Sequence, residues 1–334
     1  MIIFFISFMF FLFISIPFGF AYKNSLKEFA TLDINFENAR DPRYFAKSFK
    51  KKFENGLKND HKDNIIKLSK NEKLLTLSKN MLYKKNYHNL IYIDSNNLIV
   101  DKSNNFYKEI YSKNSIYFTK KHIIRAAYSE KSITLNQDSH VIRWLDAKNK
   151  VIIGKNCFLG ISISSKNYLS IGNNCVFKRL FAPKIIINKS DKFKSAVNKD
   201  FLPIIIKTFK RNLKTIDDQN TKDNIFKNSI ITKHKLTISS NIIIKGSIKT
   251  EKDLVIKSNV LIHGNIFADG NITIGNNCKI LGTIFSYRSI IIRDFVQIGQ
   301  KGSIKSIVAE ENIDIGYDFT MYGFINANKN GKTI

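Results

Sequence analysis

From residue 236 onward, aliphatic residues return in pairs separated by one position, and the pairs themselves return at a constant interval. Leu236-x-Ile238, Leu254-x-Ile256, Ile272-x-Ile274 and Ile290-x-Ile292 are each 18 residues apart. A second track, Ile242-x-Ile244, Val260-x-Ile262, Cys278-x-Ile280 and Val296-x-Ile298, runs in step. A third begins with glycine, as Gly246-x-Ile248, Gly264-x-Ile266 and Gly282-x-Ile284, and the residue two further on is small: Thr250, Ala268 or Ser286. Residues two apart share a face of a strand, so each pair predicts a short strand with both members turned inward. Between pairs stand turn formers such as Gly275-Asn276-Asn277 and Ser239-Ser240-Asn241, residue types that tolerate positive φ. Three strands and three corners per 18 residues describe one triangular coil of a β-solenoid, whose coils stack at ~4.8 Å and share one core. Five inward aliphatics per coil, at roughly 1.5–3 kcal/mol each when fully buried, make that core the main store of stability.

The period has a displaced end and an upstream echo. Ile313-x-Ile315, Phe319-x-Met321 and Gly323-x-Ile325 keep the internal offsets after about five extra residues around 302–312, which predicts a loop bulging from one corner. Upstream, Ile133-x-Leu135, Val151-x-Ile153 and Leu169-x-Ile171 repeat at 18, as do Val141, Leu159 and Phe177. Ile185-Ile186-Ile187 opens a further coil. Between the blocks the period is lost in a Lys- and Asp-rich stretch whose one apolar run, 201–206, is interrupted by Pro203. Its two readings are an insertion at a corner and a linker between separate solenoids.

The N-terminal third follows other rules. Residues 2–21 are almost all apolar and uncharged, long enough to span a bilayer as a helix. They read as an uncleaved anchor with the chain beyond it on the cytoplasmic side, since Lys23 and Lys27 follow and no basic residue precedes. Gly19-Phe20-Ala21 supports the other reading, a cleaved signal peptide. Asp41-Pro42 and Gly56 bracket a predicted helix. On it Phe45, Phe49, Phe53 and Leu57 form one stripe, while Lys47, Lys50, Lys51 and Lys52 cover much of the rest. Such a helix could lie on anionic headgroups, or its stripe could be a core face. Further on, 90–93 and 98–100 read as strand, turn, strand.

Composition adds charge and removes catalysis. Lys plus Arg number 54 against 27 Asp plus Glu, giving +27 and a pI near 9.8. That balance suits an anionic surface, although most of it reads as solvated Lys on a Lys-, Asn- and Ile-rich chain, and nucleic acid is not the expected partner. Cys157, Cys175 and Cys278 occupy an inward aliphatic slot; the first two fall on adjacent coils, within disulfide range, and otherwise read as small buried apolar residues. No zinc-ligand spacing, nucleophile elbow, P-loop or paired-carboxylate motif is present, so no cofactor, metal or small-molecule substrate is expected.

The run Leu254-Val-Ile-Lys-Ser-Asn-Val-Leu-Ile-His-Gly-Asn-Ile266, followed by Ile272-Thr-Ile-Gly-Asn-Asn-Cys-Lys-Ile-Leu-Gly-Thr-Ile284, resembles the bactofilins, the bacterial polymer-forming cytoskeletal proteins. The likeness covers 236–325 well and 133–187 more weakly. It implies a right-handed β-helix that assembles end to end into nucleotide-independent filaments, often at the membrane, as a scaffold for cell-shape or wall-synthesis machinery. An unpaired coil end must be capped or must pair with another copy, and Phe319, Met321 and Phe324 are the expected interface or cap. Hexapeptide-repeat acyltransferases also use 18-residue coils, but with one small inward residue per pair where this chain has two large ones; an exported, non-polymerising surface or adhesion solenoid is the other alternative. The reading is therefore an all-β solenoid, a triangular β-helix behind an N-terminal hydrophobic helix and a mixed α/β basic region. Its expected divisions are 1–21 anchor or signal peptide, 22–130 basic and membrane-proximal, 131–187 first coils, 188–229 insertion or linker, 230–326 second coils and 327–334 tail. Its expected partners are other copies, the membrane, and envelope or wall-synthesis proteins.

Overall fold

A computed structural model of the chain describes positions 4, 5, 7–11, 13 and 15, then 41–57, 65–69, 72–77, 86–93, 97–188 and 225–334. The described positions before residue 16 are helical; the rest of the apolar segment 2–21 lies outside the described residues. Among the described residues no helix is long and apolar enough to cross a membrane. From Pro42 to Ile334 the chain forms one unit, a β-solenoid with one continuous core from Tyr87 to Ala327.

The second block repeats as its sequence predicts. Leu236–Ile238, Leu254–Ile256, Ile272–Ile274, Ile290–Ile292 and Asn312–Ile315 form one parallel ladder, in register at every pair. Ile243–Ile244 through Gln297–Ile298, and Ile230–Thr232 through Lys305–Ala309, form the other two faces. The first and last residues of the three-residue strands point inward; Leu254, Ile256, Ile272, Ile274, Ile290 and Ile292 are all buried. The corners are Asn241, Asn259 and Asn277, each at positive φ, where Asn is less costly than a branched residue. The small residue after the third track has a use: Thr250 Oγ1 donates to the His234 carbonyl at 2.9 Å and Ser286 Oγ to that of Gly270 at 2.8 Å, tying each corner to the same corner of the preceding coil. The five extra residues sit earlier than expected, at 299–304, and the ladder is back in register at Lys305–Ala309.

The first block starts far earlier than residue 131. Leu90–Ile93 and Leu98–Val100 are not a hairpin; each pairs in parallel with the next coil, at Asn105–Ser112 and Ile116–Phe118. The coils then continue through Ile133, Val151 and Leu169 to Ile185. Most of the described residues of the region expected to be mixed are thus solenoid, preceded by an antiparallel pair, Ile65–Ser69 with Glu72–Leu77, that extends one face.

The two blocks meet end to end, and they meet head on. Val176–Ile187, the last strand of the first block, pairs antiparallel with Phe319–Thr333, the last strand of the second, from Ile187 opposite Phe319 to Val176 opposite Lys332. The opposite edge of Phe319–Thr333 pairs in parallel with its own block. Residues 327–334 are therefore part of a coil, not a tail: Thr333 is buried, accepts the Cys175 N–H and donates to the Gly172 carbonyl, both at 2.8 Å. Asn188 leaves the stack at the junction while Ile225 enters it at the opposite end of the second block; the insertion or linker expected between the blocks lies, over 189–224, outside the described residues.

Candidate functional site

Two surfaces of the solenoid, the junction and one outer side of the first block, carry residues that sequence singled out, and a third, the outermost coil of the second block, emerges from the structure. At the junction Phe319 and Met321 are fully buried and face Ile187 and Ile185 across the antiparallel ladder, and the partly buried Phe324 faces Phe181. The expected interface residues do join two coil ends, but both ends belong to this chain. The pairing satisfies the strand edges that an isolated second block would expose.

On the outer side of the first block, stacked coils place Tyr92, Tyr111, Tyr128 and Asp146 in one outward row. A helix, α1 (Tyr44–Leu57), lies along it. Phe53 stacks on Tyr111 with ring centres 4.6 Å apart and touches Tyr92, while Phe49 packs edge-on against Trp144. Just before the helix, Arg43 forms a bidentate ion pair with the buried Asp146, which also accepts the Ser164 hydroxyl. The lengths match: ten residues from Arg43 to Phe53 rise ~15 Å in a helix, and three coils from Asp146 to Tyr92 rise ~14 Å. Phe49 and Phe53 therefore serve as a core face rather than a membrane face, whereas Phe45 is 44 % exposed. Lys50 bridges to Glu130, which also accepts the Tyr111 hydroxyl at 2.9 Å and pairs with Lys148. Burial works against the Lys50 charge, yet Glu130, Tyr128 and Glu54 together outweigh it and raise its pKa; the Glu130 carboxyl, despite its own burial, is held below its usual range by Lys50 and Tyr111. Lys47 and Lys51 are exposed on the helix surface.

The corner glycines stack directly. A Cβ at Gly264 would stand 2.3 Å from the Gly246 carbonyl oxygen, and one at Gly282 would stand 2.1 Å from that of Gly264. The third-track glycine is thus required by close approach of successive coils. The cysteines carry a regularity that the sequence did not announce. Cys157, Cys175 and Cys278 are free and buried, and each thiol donates to the carbonyl 21 residues earlier, at Asn136, Gly154 and Lys257. Burial pushes the Cys278 thiol up to about 11, so it is a poor nucleophile at neutral pH. His122, also buried, sits beside Phe118 and accepts the Asn104 N–H on Nδ1; burial lowers its pKa to about 4. Among the described residues no group of three His, Cys, Asp or Glu could hold a metal ion.

The third surface is open. Ile225–Phe226, Ile230–Thr232 and Leu236–Ile238 form the first coil of the second block. Phe226 lies inward, in register with Ile244, yet is 46 % exposed, and Ile230 and Leu236 are only half-buried. Ile230 N–H and the Thr232 carbonyl bond to the next coil, so the Ile231 N–H and carbonyl point to the free edge, the alternation of a parallel ladder. The same pattern turns Thr237 to that edge, because Leu236 N–H and the Ile238 carbonyl are engaged. The far end of the first block differs: Tyr87 and Leu98 are 6 % and 1 % exposed, with Tyr87 stacked on Phe106. No family model, curated protein or solved structure matches the chain.

Proposed function

We propose that this protein is a non-enzymatic structural scaffold, a rigid β-solenoid of bactofilin-like design that self-associates through a coil end and is held at a membrane surface by its N-terminal segment. One observation carries the reading. The chain already joins two coil ends edge to edge at Val176–Ile187 and Phe319–Thr333, and it leaves one further end, beginning at Ile225, with its apolar core and strand edge exposed. An unpaired, apolar strand edge of this kind pairs with another chain. The excess of basic residues supports attraction to anionic lipid, at about 1 kcal/mol for each Lys or Arg that reaches the surface. The expected partners are other copies and the membrane, with envelope or wall-synthesis proteins as the cargo that such a scaffold would organise.

The test is flotation and sedimentation of the full chain without nucleotide, with and without vesicles of phosphatidylglycerol and phosphatidylcholine. Concentration-dependent assembly that floats with anionic vesicles supports the proposal. A chain that stays monomeric at all concentrations and does not float overturns it.

A further inference from the structure

The self-association proposed above leaves open how many copies join, and the two free ends of the solenoid differ in a way that answers it. At the outer end of the first block the core is closed. Tyr87, Ile91, Leu98 and Phe106 are buried, and two further strands, Glu72–Leu77 and the antiparallel Ile65–Ser69, lie beyond Leu90–Ile93 on that face. The C-terminal ends of both blocks are consumed against each other at the junction. Among the described residues, only the 225–238 coil retains an exposed inward aromatic, Phe226, together with edge groups on Ile231 and Thr237.

We infer that the first coil of the second block, 225–238, docks against the same coil of a second copy about a two-fold axis, and that association stops at this pair. The inference rests on the self-association reading. Antiparallel pairing of two identical coils is isologous: each copy presents the same patch, and the contact closes on itself. The junction shows that this solenoid accepts antiparallel pairing around a whole coil, with strand pairs on all three faces. In the pair, Phe226 would extend the core into the partner's core, and the edges at Ile231 and Thr237 would find amide partners. Growth beyond two copies requires a second end with an exposed apolar core, and among the described residues the inward side chains of the first-block terminus, Tyr87, Ile91 and Leu98, are buried. The rim residues Lys227, Lys233 and Lys235 bring like charges together, so pairing should strengthen as salt screens them; an acidic partner would show the opposite dependence.

The experiment is sedimentation equilibrium of the full chain in a density-matched mild detergent, across protein concentration and from low to high salt. Twice the 38.5 kDa chain mass is expected, tighter at high salt. Phe226→Lys, which places charge at the core end, and Ile231→Pro, which removes an edge donor at an exposed position, should each weaken the dimer at least tenfold without shifting the main unfolding transition. Open-ended oligomers sensitive to both variants would sustain self-association but overturn the closed pair. A pair indifferent to both variants would overturn the assigned surface, and a monomer under all conditions would overturn this inference and the scaffold reading together.

Discussion

The two blocks of coils use the same rules inside and different rules outside. In both, positive-φ Asn or Asp residues turn a corner, at Asp138, Asn156 and Asn174 in the first and Asn241, Asn259 and Asn277 in the second. In both, a small hydroxyl staples its corner to that of the preceding coil, as Ser165 does to the Asn149 carbonyl at 2.8 Å and Ser286 to that of Gly270. The outer faces diverge. In the second block the residue between two inward aliphatics is partly exposed, as in Ile272–Ile274; in the first, all four residues of Leu90–Ile93 are buried because α1 covers their outward side. A strand buried on one face alternates, and a strand buried on both reads as continuous apolar sequence.

That difference decides what was legible. The second block shows its period openly, since Leu254, Ile272 and Ile290 fall at one interval between polar outward residues. The first block shows it only from Ile133 onward. Leu98 and Ile116 precede Ile133 and Val151 on the same face at a period of 17 or 18, but outward Tyr92, Tyr111 and Tyr128 are as apolar as the inward set. Phe49 and Phe53 were visible as a stripe, while their target was not, because a row of tyrosines about 18 apart becomes a surface only once the coils stack. The junction was illegible for another reason. Phe319 and Met321 announce the end of a stack, but no local pattern says which edge will meet them or in which direction.

The comparison can be broken at its strongest contrast by truncating the ring beneath the helix. Phe53→Ala should destabilise the first block by about 3–5 kcal/mol, the usual cost of removing a buried Phe, with hydrogen exchange rising across 90–146 and unchanged across 254–292. Equal loosening of both blocks would show that they do not unfold separately. Acid should sharpen the same contrast. The folded state keeps His122 neutral, with its pKa depressed to about 4, whereas the unfolded residue takes a proton near 6.5. Its stability contribution is complete above pH 6.5 and is lost as pH falls toward 4, a decline of about 3 kcal/mol. A His122→Leu variant should start less stable and lose that part of the acid slope, which denaturant titrations at pH 7.5 and 4.5 would read.

Two smaller effects probe the corners of the second block. Gly264→Ala forces a Cβ into the Gly246 carbonyl and should cost roughly 1–3 kcal/mol, as overpacking generally does; a neutral thermal melt would mean that successive coils separate easily. Phe295 occupies a positive-φ corner that other coils give to Asn, with φ 59. That conformation costs a bulky residue of order 1–2 kcal/mol, partly offset by its edge-on contact with Tyr317. Phe295→Asn should therefore raise stability by about 0.5–1 kcal/mol in the same melt.

The central claim is that two oppositely directed stacks meet through Val176–Ile187 and Phe319–Thr333, and cross-linking tests it most directly. Ile186 and Thr320 are paired across that ladder, both partly exposed, within the Cα separation that a disulfide spans. The double variant Ile186→Cys, Thr320→Cys should oxidise to an intramolecular disulfide, identified by peptide mass, while Ile186→Cys, Thr237→Cys should not. An Ile186–Thr237 bond in place of an Ile186–Thr320 bond, or an Ile186–Thr320 bond that forms only between chains, would contradict the antiparallel junction.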